Sequence, residues 1–249
     1  MVSIDRLPAL RLGRNRSSNR PKTPKLSHYP PTWWVSPEGQ IDRIITFLGL
    51  YGDGQGFLAT DIPPIPDFIP QTPSEVLLLT VILPDKDGVA GTQLTHDAWW
   101  NFVRLPDGFA KRRPQIRWGT ISEPLFMKLV PGIRHLPGIK WVAFDPVAHR
   151  DKSPGWLRQK PARVVTLAHA EVLMAMALFP DWIATWNGQD SPYPVMSGYM
   201  FNDGVSWGNV PGVWGDYRSR VIRLDIIPDY TIPRGSSSPA VRSASESAR

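Results

Sequence analysis

Three side chains in the middle of the chain have the right types to move protons: Asp145, His149 and Glu171. Asp145 ends the apolar run "GIKWVAFDP", and a carboxylate at a strand terminus often faces a cleft. With His149 and Glu171 it could form an acid–base or metal-binding group, the basis for a hydrolase acting on nucleic acid or glycan. Against that, Asp followed by Pro146 is ordinary turn chemistry. His169-Ala170-Glu171 repeats the H-x-E half of a zinc deaminase, but the other half needs cysteines and the chain has none. His169 therefore reads as a core histidine bonded to a neighbour.

The missing cysteines exclude disulfides, thiolate zinc sites, iron–sulfur ligation and a cysteine nucleophile together. The five histidines show no H-E-x-x-H spacing, and no G-x-S-x-G elbow is present. "YGDGQG" follows a helical pattern and lacks a downstream Lys-Ser/Thr, so it is a turn rather than a phosphate loop. "DKDG" lacks the ligands of a calcium loop. No metal and no cofactor is expected.

A second constellation is aromatic. Trp186, Tyr193, Trp207 and Trp214 stand near Asp203 and several Asn and Gly residues. Such rings can stack on a sugar or a base, which suggests a glycan-binding module. The same residues also build tight turns plugged by Trp, and Asn202-Asp203-Gly204 is a turn signal.

The third constellation is charge. The formal net charge is +6, and residues 1–31 alone carry seven basic side chains against Asp5. Arg11, Arg14, Arg16, Arg20, Lys22 and Lys25 form its densest part, and the body 32–233 is left slightly acidic, at −2. Lys111, Arg112 and Arg113 form a basic cluster inside that body. An unpatterned basic arm can neutralise phosphates, serve as a solvated tail or act in organelle targeting. Pro8 and Gly13 interrupt the amphipathic helix that targeting would need.

The elements that must position these groups come from hydrophobic periodicity. Ser36-Pro37 opens a helix whose stripe is Ile41, Ile44, Ile45 and Leu48. "DIPPIPDFIPQTP" predicts an extended strap laid on the core. "EVLLLTVILP" predicts a central strand covered on both faces, and Thr95 is placed as the cap of a short helix, "HDAWWNFV". "RVVTLAHAEVLMAMALFP" reads as a buried helix over 163–180, and "RVIRLDII" as a half-exposed strand.

The sum is an α+β fold: a mixed or antiparallel sheet, three or four helices and long proline-rich connections. With 27 prolines in 249 residues, proline is about double its usual ~5% share. The expected organisation is a disordered basic arm over 1–31, one globular domain over 32–233 and a disordered Ser-rich tail over 234–249. No apolar run spans a bilayer and no secretory segment opens the chain, so a cytoplasmic protein with no membrane partner is expected. The balance is against an enzyme. The leading reading is a binding or accessory protein whose arm contacts nucleic acid, another polyanion or an acidic partner.

Overall fold

The computed structural model describes residues 30–52, 54–105, 117–119, 126–160, 167–186, 193–202, 208–216, 221–231 and 235–244. Within them the fold is α+β, with four helices and mainly antiparallel sheets. Helix α1 (Pro37–Tyr51) begins where the sequence places it. Ser36 Oγ accepts the Gly39 N–H at 3.3 Å, and Pro37 occupies a first-turn position that needs no amide donor. Its buried face presents Ile44, Phe47 and Leu48.

Strand β1 (Val76–Ile82) is buried at all seven positions, yet it is not central. It pairs antiparallel with β4 (Gly138–Asp145), which also pairs antiparallel with β10 (Ala240–Ser243), so β4 is the middle strand. An apolar edge would normally invite pairing with another chain. Here two helices close it with side chains. Gln40 of α1 donates from Nε2 to Leu77 O at 2.9 Å and accepts the Leu79 N–H at 2.9 Å. From helix α2 (Gly91–Arg104), Trp99 Nε1 donates to Val81 O at 3.0 Å and Thr95 Oγ1 accepts the Leu83 N–H at 2.9 Å. Leu77, Leu79, Val81 and Leu83 each thus find a side-chain partner for one backbone group without a neighbouring strand. Thr95, expected as a cap, lies inside α2, where its hydroxyl serves β1 rather than the helix terminus.

The larger sheet has the order β2 (Arg117–Gly119), β8 (Val221–Pro228), β7 (Asn209–Asp216), β6 (Tyr199–Asn202), β3 (Phe126–Leu129). Only the β2–β8 pairing in it is parallel. Ile222 and Leu224 of β8 are buried while Arg223 and Asp225 are exposed, the alternation its sequence predicts. A short parallel pair joins β5 (Tyr193–Pro194) to β9 (Ser236–Ser237). One apolar cluster includes Ile44 of α1, Val76 of β1, Phe201 of β6, Leu224 of β8 and Ala244.

Two further expectations need correction. Helix α4 (Glu171–Leu178) is buried at all eight positions but starts well after residue 163; residues 167–170 are a bridge and a turn. The tail is also ordered over 235–244. Ser236, Ser237 and Ser238 are buried, because their polar groups meet interior partners. Ser237 Oγ donates to Pro146 O at 2.7 Å, Ser197 and Ser238 share a hydroxyl bond of 2.6 Å, and Val195 N–H donates to Ser237 O at 2.8 Å. A serine run that reads as solvated low complexity is here a set of buried hydrogen-bonding links.

The proline-rich strap is pinned where Trp141 Nε1 donates to Pro63 O at 3.1 Å. Ile62 and Phe68 pack against the core, while Ile65 and Ile69 face outward. Among the described residues, no helix is long and apolar enough to cross a membrane.

Candidate functional site

Asp145 is the last residue of β4, and its oxygens are occupied. Oδ1 accepts from Ser74 Oγ at 2.7 Å and from the Val147 N–H at 3.1 Å, and Oδ2 accepts from Thr72 Oγ1 at 2.9 Å. The carboxylate therefore ties the approach to β1 to the turn after β4. His149 sits in that turn with φ at 51°. Burial pushes its imidazole below the usual 6.5, and the charge of Asp145 opposes this in part.

Glu171 lies elsewhere in the hydrogen-bond network. Its Oε2 accepts the His169 N–H at 2.8 Å, and its Oε1 lies 3.3 Å from His169 Nε2. Residues two apart do not face each other along a helix, so this pairing depends on α4 starting at Glu171, with His169 in the turn before it. The turn is held from two sides: Ala168 N–H donates to Pro239 O at 2.8 Å, and Gly198 N–H donates to Ala168 O at 2.9 Å. Only glycine permits that approach, since a Cβ at Gly198 would stand 2.8 Å from Ala168 O.

The Tyr199 ring lies 5.4 Å from the His169 ring and 5.9 Å from the His96 ring, edge-on to both. Among the described residues, Tyr199 OH, His169 Nδ1 and His96 Nε2 are buried without a hydrogen-bond partner. Burial dominates the electrostatics of His169 and Tyr199. It lowers the His169 pKa, with Glu171 opposing and Lys140 and His135 adding to the fall. It raises Tyr199 well above 10.0, and the charges of Glu171 and Asp97 push the same way. The neutral imidazole and neutral phenol are the forms the fold favours.

A groove of about 550 Å³ runs between the strap and the β4–β10 edge, bordered by Pro63, Pro66, Lys140, Glu171 and Arg242. Glu171 borders it; Asp145 and His149 do not. The hydrogen-bond partners of Asp145 and Glu171 have no residue in common. The three side chains read as one acid–base group are thus divided between a turn clamp and a buried Glu–His pair. Among the described residues, no three His, Asp or Glu side chains are grouped to hold a metal ion.

The aromatic residues are also divided. Trp186 is only 3% exposed and meets Trp182 and Tyr193 edge-on, with centroids at 5.3 and 6.3 Å. It is a core ring with no face available to a ligand, a correction to its place in an exposed platform. Tyr193 is half-buried at the start of β5. Trp214 lies on β7 opposite Arg223. Asp203 and Trp207 lie outside the described residues, as do Arg11, Arg14, Arg16, Arg20, Lys22, Lys25, Lys111, Arg112 and Arg113.

Another aromatic residue is displayed on the surface. Trp156, on the short helix α3 (Pro154–Arg158), is 44% exposed, with Lys160 Nζ at 4.3 Å and Lys152 Nζ at 5.3 Å from its ring centroid. The sequence carries a signal for it, Lys152, Trp156 and Lys160 at intervals of four, obscured by the overall acidic balance of the body. No protein-family model, no curated protein and no solved structure matches this chain.

Proposed function

We propose that this is a non-enzymatic binding protein of the cytoplasm, whose basic segment 1–31 engages a polyanion, with nucleic acid the leading candidate. The observation that carries the reading is the division of charge: +6 over residues 1–31 against −2 over 32–233. A basic segment of this kind neutralises phosphates and releases their counterions whatever the base sequence. The alternative of a hydrolase centred on Asp145 has little support, because that carboxylate accepts three structural hydrogen bonds.

The test is salt-dependent binding of a labelled duplex and a labelled single strand to the full-length protein. If five to seven arm side chains meet phosphates, log K should fall with log salt at a slope of about −4 to −6. Replacing all seven basic residues of the arm by Gln in the full chain should flatten most of that slope. Unchanged binding by that variant, or no binding at low salt by the native chain, would reject the reading.

A further inference from the structure

Helix α3 is a rigid mount despite its length. Ser153 Oγ accepts the Trp156 N–H at 3.3 Å and Pro154 occupies the first turn. Beneath it Leu157 is 1% exposed and packs in a small apolar cluster with Leu167. Arg158 reaches inward, its Nη2 donating to Tyr199 O at 2.7 Å and its Nη1 lying 3.4 Å from Asp229 Oδ2. Gly155 N–H donates to Asp229 O at 2.7 Å, and a Cβ there would come within 3.2 Å of the same oxygen. The helix therefore cannot roll to bury Trp156.

That hydrogen bond also brings the backbone of a second aromatic residue close. Tyr230 follows Asp229 directly and is 80% exposed, the most exposed large ring among the described residues. Trp156 and Tyr230 are thus each one residue from the hydrogen-bonded pair Gly155–Asp229. Between 150 and 160 the chain carries Arg150, Lys152, Arg158 and Lys160 against Asp151 alone. Arg158 is committed to Asp229 and to Tyr199 O, and Arg150 lies 3.9 Å from Asp151, whereas Lys152 and Lys160 are exposed beside the indole.

We infer that Trp156, flanked by Lys152 and Lys160, is a stacking site for a base of single-stranded nucleic acid, with the two ammonium groups taking its phosphates. An exposed ring beside exposed cations suits a strand whose bases are unpaired and whose backbone is anionic. A base reaches the Trp156 ring when Lys160 Nζ, 4.3 Å from its centroid, moves aside, because an exposed lysine–indole interaction is weaker than a base stack and the lysine can swing outward to phosphate. Duplex DNA offers the phosphates without a free base face. This names the partner class within the nucleic-acid reading and rests on it, but it places the discriminating interaction on α3 rather than on residues 1–31.

The experiment is fluorescence anisotropy of a labelled oligothymidylate of about twelve nucleotides, a length matched to a single binding face. A duplex of equal length and anionic phospholipid vesicles are the comparison ligands. In the full-length protein, Trp156→Ala should weaken single-strand binding by about 10- to 100-fold at every salt concentration. Trp156→Phe should restore most of it. Lys152→Gln with Lys160→Gln should instead reduce the salt slope by about 1.4, at ~0.7 for each phosphate no longer neutralised. The Trp156 effect should persist when the arm's basic residues are Gln, and duplex binding should not respond to it.

Equal loss on duplex and single strand, or native affinity in Trp156→Ala, would overturn the inference while leaving the arm reading intact. So would a Trp156-dependent gain on vesicles with none on the oligonucleotide, which would mark a membrane-surface site. Conversely, an arm variant that binds as tightly as the native chain, with Trp156→Ala still weakened, would reject the arm and keep the stacking site. Melting temperatures accompany each variant, and the lysine pair carries the test if the ring substitution unfolds the helix.

Discussion

Leu79 and Gln40 stand 39 positions apart, and the Leu79 N–H donates to Gln40 Oε1 at 2.9 Å as it would to a neighbouring strand. The same amide gives its Nε2 protons to Leu77 O at 2.9 Å and Val35 O at 3.0 Å, with no surface of Gln40 left exposed. One side chain thus replaces part of an edge strand, because a primary amide carries both a donor and an acceptor.

Gln40→Leu keeps the volume and removes both functions, leaving two buried backbone groups of β1 unpaired. Each such group costs about 1–3 kcal/mol, so a loss of roughly 2–6 kcal/mol is expected. At this chain length that corresponds to a fall in Tm on the order of 4–24 °C. Gln40→Glu should also destabilise, since a carboxylate accepts from Leu79 but has nothing to donate to Leu77. Thermal unfolding followed by circular dichroism measures both, and an unchanged Tm in Gln40→Leu would mean that the edge finds its partners elsewhere.

That relationship also shows where the sequence is silent. The helix after Ser36-Pro37 and the buried run at Val76–Ile82 are legible because capping and hydrophobic runs are local signals. Whether β1 is central or an edge depends on Gln40, Thr95 and Trp99, whose distance along the chain carries no periodicity. Burial of the Ser236–Ser238 run is invisible for the same reason. Its composition is that of a solvated tail, and only the partners Pro146, Val195 and Ser197 make it interior. Trp186 and Trp156 have the same amphipathic chemistry, yet one is packed against Trp182 and the other held outward by the anchoring of Leu157 and Arg158. The spacing of Lys152, Trp156 and Lys160 is within reach of the sequence; the rigid mount beneath it is not.

Asp145 provides a second test. Its three accepted hydrogen bonds come from Thr72, Ser74 and the Val147 N–H, so its role is to join the entry of β1 to the exit of β4. Asn retains one acceptor oxygen and turns the other position into a donor, so Asp145→Asn should cost about 1–2 kcal/mol, with Asp145→Ala worse. The urea midpoint should fall at constant m-value. Nucleic-acid affinity should not move. A folded Asp145→Asn protein that loses its biological activity would instead return this carboxylate to a chemical role.

The buried His169–Tyr199 pair makes stability respond to pH at both ends. The His169 pKa is lowered by burial from 6.5 in the folded protein, and His149 is lowered for the same first reason. Below 6.5 the unfolded chain binds the protons the fold resists, so stability is full above that pH and declines as pH falls beneath it. Tyr199 behaves in the opposite sense. Its folded pKa is raised above 10.0, so its contribution is complete below 10.0 and is lost as pH rises beyond it. Glu171 acts on both groups, opposing the fall of His169 and adding to the rise of Tyr199. Glu171→Gln removes that charge while keeping the shape. Near neutrality it should cost about 1–3 kcal/mol, since the carboxylate accepts the His169 N–H and faces His169 Nε2, and a carboxamide offers an acceptor to only one of them. Its distinctive effect lies in the limbs of the profile. The acid limb should deepen, because His169 then titrates still lower, and the alkaline limb should become shallower, because Tyr199 loses one cause of its rise. Tm measured across pH for the native protein and Glu171→Gln reads both limbs at once. Parallel profiles, displaced by the same amount at every pH, would show that the carboxylate serves only as a hydrogen-bond acceptor for the turn at His169.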